Sequence, residues 1–87
     1  MSSLSDMKEC SDRQTVRILD CLGLYCPEPL FRTRQEMDSL DSGEVLEVLA
    51  DDPAAEEDLR RFAERTGNRL FKSLRENGVF RIFIMKH

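Results

Sequence analysis

Proline marks a helix entrance twice in this chain, each time shortly after a short apolar run, and that repetition restricts the fold more than any other feature. In the first cycle, Thr15 to Asp20 is short and β-branched, with Val16 and Ile18 on one face, and reads as a strand. Gly23 breaks the pattern. From Pro27 to Leu40 the residues Leu30, Thr33, Met37 and Leu40 recur at steps of three and four, the stripe of an amphipathic helix. Pro27 suits the first helical position because it has no N–H to leave unpaired. Pro29 falls in the first turn and is tolerated there. Ser42-Gly43 closes the helix.

The second cycle repeats this logic. Glu44 to Ala50 is nearly continuously apolar, as expected of a central strand. Asp52 is a natural N-cap and Pro53 a natural first helical residue. Ala55, Leu59, Phe62 and Ala63 form the inner face of this helix, and Gly67 is its stop. Asn68 to Glu76 is a weaker strand. Asn77-Gly78 predicts a two-residue hairpin turn into a last strand, Val79 to Lys86. In that strand Phe80, Ile82 and Ile84 share one face, and Phe83 and Met85 the other.

The order is therefore βαβαββ. The first two strands should run parallel through a right-handed crossover, and the last two antiparallel. The expected fold is an α/β two-layer sandwich, with two helices on one face of a mixed four-stranded sheet. The other face should be open, with Phe83, Met85, Val45 or Leu49 on it. It would serve either as an interaction surface or as ordinary surface hydrophobicity.

With 87 residues the chain makes one domain, residues 15–87, behind a polar N-terminal tail, residues 1–14, expected to be flexible. A domain of this size buries only about 60–65% of the surface its unfolded chain exposes, which leaves little room for a deep pocket. Hydrophobic residues make up 40% and charged residues 34%, a balance that argues against disorder. No apolar run approaches the roughly 20 residues that span a bilayer. The N-terminus has no signal-peptide pattern, and the chain reads as cytoplasmic. Its formal net charge of -4 makes direct tight nucleic-acid binding a poor expectation, because phosphate selects basic surfaces. Arg32 and Arg34 lie close in sequence to Cys26. Asp51, Asp52, Glu56, Glu57 and Asp58 form an acidic cluster read as lying elsewhere.

The three cysteines, Cys10, Cys21 and Cys26, do not suggest a disulfide framework. Cys26 is expected at the N-cap of the first helix. The unpaired N–H groups and partial positive charge there should lower its pKa below the free value of about 8.5. Because Pro27 and Pro29 remove two donors, the shift should be modest. The prolines also stiffen the turn and hold the sulfur at one end of the protein. A Cys–His nucleophile pair has only the terminal His87 to draw on. The pattern needed for a structural zinc site is not met, and there is no phosphate-binding loop. No metal or cofactor is expected. From spacing alone Cys26 is either a reactive thiol or an unreactive residue at a helix start.

Leu19-Asp20-Cys21-Leu22-Gly23-Leu24-Tyr25-Cys26-Pro27-Glu28-Pro29 resembles the signature of TusA-like, also called SirA-like, sulfur carriers. Ala50-Asp51-Asp52-Pro53 and Thr66-Gly67 resemble two further landmarks of that family. The resemblance runs from about Val16 to Lys86. It implies a sulfur-relay protein, a carrier or sulfurtransferase acting through a cysteine persulfide, with Cys26 bearing the sulfur and Pro27 and Pro29 shaping its loop. Arg34 and Asp52 are implied as partner-docking or structural positions. A cysteine desulfurase or rhodanese-like protein would donate the sulfur, and a downstream protein would accept it, for tRNA 2-thiouridine synthesis or another sulfur-trafficking pathway. A transiently docking monomer is the expected form. Gln35 stands where many relatives have lysine, and Asn68 where many have histidine. Cys21 would be either a resolving thiol for Cys26 or a small buried hydrophobe. Two other readings remain: a non-catalytic interaction module, and a carrier in selenium metabolism.

Overall fold

A computed structural model describes residues 17–87. The elements run β1 (Arg17–Cys21), α1 (Glu28–Asp38), β2 (Val45–Ala50), α2 (Pro53–Thr66), β3 (Arg69–Glu76) and β4 (Val79–Met85). The expected βαβαββ order is observed. Thr15 and Val16, Cys10 and the tail lie outside the described residues.

The four strands form one mixed sheet in the order β1-β2-β4-β3. β1 pairs parallel with β2, in a register that sets Leu19 opposite Val48 and Cys21 opposite Ala50. β4 pairs antiparallel with both β2 and β3. Period-2 alternation then sorts the strand residues by face. Leu46, Val48, Ile82 and Ile84 are fully buried against Met37 of α1 and Leu59 and Phe62 of α2. The inner face of α2 consists of Ala55, Leu59, Phe62 and Ala63, as the 3.6-residue period requires.

The helix boundaries follow local chemistry. Asp52 caps α2 by accepting the Ala54 N–H, Pro53 takes the first helical position, and Gly67 ends the helix in the left-handed region at φ 80°. Asn77 and Gly78 both have positive φ, as a two-residue hairpin turn of this kind demands. α1 departs from expectation. Pro27 is its N-cap rather than its first helical residue, and the helix starts at Glu28. The Glu28 N–H turns back to the Tyr25 carbonyl at 2.8 Å, and the first helical bond runs from the Phe31 N–H to the Pro27 carbonyl at 3.1 Å. Cys26 therefore stands one residue outside the cap.

The second sheet face is also less open than expected. Val45 is 1% exposed and Phe83 7%, while Leu49 and Met85 are half-buried. Long polar side chains lie over this face. Lys72 and Arg81 hold their cations 5.4 and 5.9 Å from the centre of the Phe83 ring, and Phe71 stands 6.2 Å from it. Such arms bury apolar stems while their charged ends stay wet.

Candidate functional site

Residues 22–27 join β1 to α1 at the edge where β1 and β2 both end. The loop has few main-chain partners of its own, and three aspartates supply them. Asp20 accepts the Leu22 N–H at 2.9 Å. Asp51 accepts the Gly23 N–H with both carboxylate oxygens at 3.1 Å. Asp52 accepts the Cys26 N–H with one oxygen at 2.8 Å, while its other oxygen caps α2 through the Ala54 N–H at 3.1 Å. Hydrogen bonds to a carboxylate are stronger than neutral ones. Asp52 thus couples the start of α2 to the backbone of Cys26. Gly23 has φ 80°, a region that side-chain-bearing residues rarely adopt.

The Cys26 side chain is exposed at the end of this loop. Its thiol donates to Oδ2 of Asp58, on α2, at 2.9 Å. That bond favours the protonated thiol and pushes its pKa above the ordinary value. Partial loss of hydration and the negative charges of Asp58 and Asp52 act in the same direction. The expected lowering by the helix start is therefore reversed. Cys26 lies beyond the cap, Pro27 and Pro29 carry no N–H, and the acidic cluster read as lying elsewhere packs against the sulfur. α1 adds no free positive charge here through Arg32, which pairs with Glu28 at 3.3 Å.

The remaining candidate residues are placed as follows. Cys21 is 0% exposed within the core, and burial pushes its thiol up. Those surroundings support the packing reading over the resolving one. Pro27 caps α1 and Pro29 is buried in its first turn. Arg34 is exposed further along α1, between two shallow depressions, one shared with Phe31, Gln35 and Asp38 and the other with Phe62, Asn68 and His87. His87 is held through its N–H to Oδ1 of Asn68 at 2.8 Å and stands by Gly67, so it forms no pair with Cys26. On the Cys26 loop and in the following helix, Leu22 is 42% exposed, Tyr25 74% and Phe31 51%. This loop and the first turns of α1 thus carry three of the six exposed large apolar side chains among the described residues.

Asp58, Asp51 and Asp20 were missed as site residues. A signal for the first two was available. In a βαβα unit with parallel strands both helices start at the same sheet edge, so the acidic start of α2 had to lie beside the start of α1. Among the described residues no group of three or more His, Cys, Asp or Glu is placed to hold a metal ion. Among them too, no helix is long and apolar enough to cross a membrane.

What this arrangement can do is present one thiol, proton attached, at a surface with an apolar fringe. Comparison with known proteins is consistent with that. The family model described as "Sulfurtransferase TusA" matches residues 17–86. A candidate sulfur carrier protein of Archaeoglobus fulgidus is 50% identical over 70 residues, covering 78% of this chain and 88% of that one. The sulfur carrier protein TusA of Allochromatium vinosum is 43% identical over 68 residues, covering 78% of this chain and 90% of that one. The crystal structure of a SirA-like protein from Desulfitobacterium hafniense superimposes with a TM-score of 0.73 at 29% identity, over 80% of this chain and 96% of that one.

Proposed function

The chain belongs to the sulfurtransferase TusA family, and from that membership we propose that it is a sulfur carrier that holds sulfane sulfur as a persulfide on Cys26. The observation that carries this reading is the exposed thiol of Cys26, fixed at one end of the molecule by the Asp52 bond to its own N–H. A sulfur atom held there is open to a second protein's active site. The described residues near Cys26 form no deep pocket, so partners complete each reaction centre.

The transfer balances without oxidant, metal or cofactor. The Cys26 thiolate attacks the outer sulfur of a donor persulfide, R–S–SH. The donor S–S bond breaks, and a new S–S bond forms to Cys26. The leaving R–S⁻ takes the electron pair and finally the proton that Cys26 released, giving R–SH and Cys26–S–SH. In the second transfer an acceptor thiolate attacks the same outer sulfur, the Cys26 S–S bond breaks, and Cys26 leaves as the thiolate and is reprotonated. Reversible capping of cysteine in this way is ordinary persulfide chemistry. The donor is a cysteine desulfurase or a rhodanese-like protein and the acceptor a further protein. Synthesis of 2-thiouridine in tRNA is the leading destination, and the carrier works as a monomer that docks transiently. Leu22, Tyr25 and Phe31 supply apolar contact on the Cys26 loop and in the following helix.

The test is intact-protein mass spectrometry after incubation with a cysteine desulfurase and cysteine. The wild-type chain is expected to gain the mass of one sulfur atom, lost again on reduction. Cys26→Ser is expected to gain none. Sulfur accumulating on the serine variant would overturn the assignment.

A further inference from the structure

The thiol that must attack as a thiolate is a hydrogen-bond donor to a carboxylate, an arrangement that works against ionisation. Asp58 is half-buried and projects from α2, on the turn after the Asp52 cap, with Oδ2 2.9 Å from Sγ of Cys26. A carboxylate can only accept here, so the contact exists only while the sulfur keeps its proton. The charged groups facing the sulfur are Asp58 and Asp52 from the α2 side. From the α1 side no charged group acts on it: the nearest pair in sequence, Glu28 and Arg32, bond to each other at 3.3 Å and bear on Cys21 instead. No cation among the described residues offsets Asp58, which makes no ion pair there.

We propose that Asp58 is a positioning residue that keeps Cys26 protonated in the free carrier, and that a sulfur donor releases the thiolate by presenting a cationic side chain to Asp58. This rests on Cys26 being the sulfur-bearing residue. It adds how its reactivity is controlled and what chemistry its partners must bring. With a cation on Asp58, the carboxylate no longer needs the thiol proton and no longer repels the thiolate. The Cys26 proton then passes to solvent, from which the leaving R–S⁻ later takes one back, and the sulfur attacks the donor persulfide as written above. In the undocked carrier alkylation and oxidation of Cys26 are slower than for a thiol without this bond, because both follow thiolate character and exposure. Asp58 also fixes the direction of the side chain, because the bond holds one rotamer about Cα–Cβ.

Two measurements on the full chain decide this. The first is the rate of iodoacetamide alkylation at Cys26 against pH, read by peptide mass spectrometry so that Cys10 and Cys21 are counted apart. Asp58→Asn keeps the shape of the side chain and removes its charge. Its profile is expected to shift to lower pH, with faster alkylation at pH 7, while Asp58→Glu stays near wild type. The second is the rate of sulfur loading from a cysteine desulfurase. Asp58→Asn is expected to load more slowly than wild type despite its more reactive free thiol. An unshifted alkylation profile would overturn the control of protonation. A shifted profile with loading unchanged or faster would overturn the role of the partner's cation. The alkylation arm does not depend on sulfur transfer. Should the wild-type chain fail to load at all, the carrier reading falls while the protonation claim is still judged by the pH profile.

Discussion

Cys21 and Cys26 border the same loop yet have opposite surroundings. Cys21 ends β1 at 0% exposure among Leu46, Val48 and Leu59, whereas Cys26 stands in solvent beside Asp58. In the native protein, Cys26 is expected to alkylate and Cys21 to react only on unfolding, a contrast that peptide mapping reads directly. Cys21→Ser puts a hydroxyl where a small apolar sulfur packed. It should destabilise the fold by about 1–3 kcal/mol in urea unfolding, while sulfur loading per folded molecule stays at the wild-type level. Loading that failed in a folded Cys21→Ser chain would make Cys21 a participant and restore the resolving-thiol reading. At this scale the sequence was informative about Cys26, because a proline-flanked cysteine at a helix start is a local pattern. It misled on the direction of the pKa. That direction is set by Asp58, 32 residues further along the chain, and the spacing of neighbours cannot show so distant a contact.

At the scale of elements, the two helix starts behave as one unit. Asp52 gives one oxygen to the Ala54 N–H of α2 and the other to the Cys26 N–H before α1. Loss of an N-cap side chain costs typically ~1 kcal/mol, and here a second charge-assisted bond goes with it. Asp52→Ala should therefore lower stability by about 2 kcal/mol in urea unfolding and speed hydrogen exchange at the Cys26 amide. Asp52→Asn, which keeps the acceptor for one of the two donors, should fall between. Unaltered exchange at Cys26 in Asp52→Ala would show that the loop is held by other means. The elements themselves were legible for a physical reason. Asp52-Pro53, Gly67 and Asn77-Gly78 act through their own backbone angles and nearest N–H groups, so their signals sit within a few residues. The start of α1 was displaced by one residue because Pro27 has no capping oxygen. Its place was settled by the turn from the Glu28 N–H to the Tyr25 carbonyl. That turn depends on the path of the loop and leaves no mark in composition.

Across the whole molecule, the sheet separates a dry face under the helices from a face that side chains cover themselves. The alternation of apolar residues sufficed to predict the first. The second was read as open because Val45 and Phe83 are apolar and point there, yet both are buried. What alternation could not reveal is the ion pair across β2 and β4. Glu47, 4% exposed, accepts from Nε and Nη2 of Arg81 at 2.7 Å each, and the same guanidinium lies over Phe83. Removing Arg81 leaves the buried Glu47 carboxylate without its partner, a cost that solvent at the half-exposed Arg81 end reduces. Arg81→Ala should accordingly lower stability, by less than loss of a fully buried partner would, because the Arg81 guanidinium is itself half-exposed. Replacing both residues together, Glu47→Leu with Arg81→Leu, should recover most of that loss, because no charge is then stranded and the face becomes continuous with Val45 and Phe83. Urea unfolding of the two single variants and the double variant gives the coupling directly. A neutral Arg81→Ala would mean that water reaches Glu47 and that the face opens in solution. Because this pair lies on the face opposite the helices that frame Cys26, the folded fraction of every variant should load sulfur normally. The face can therefore be varied to make a more stable carrier without changing what its thiol does.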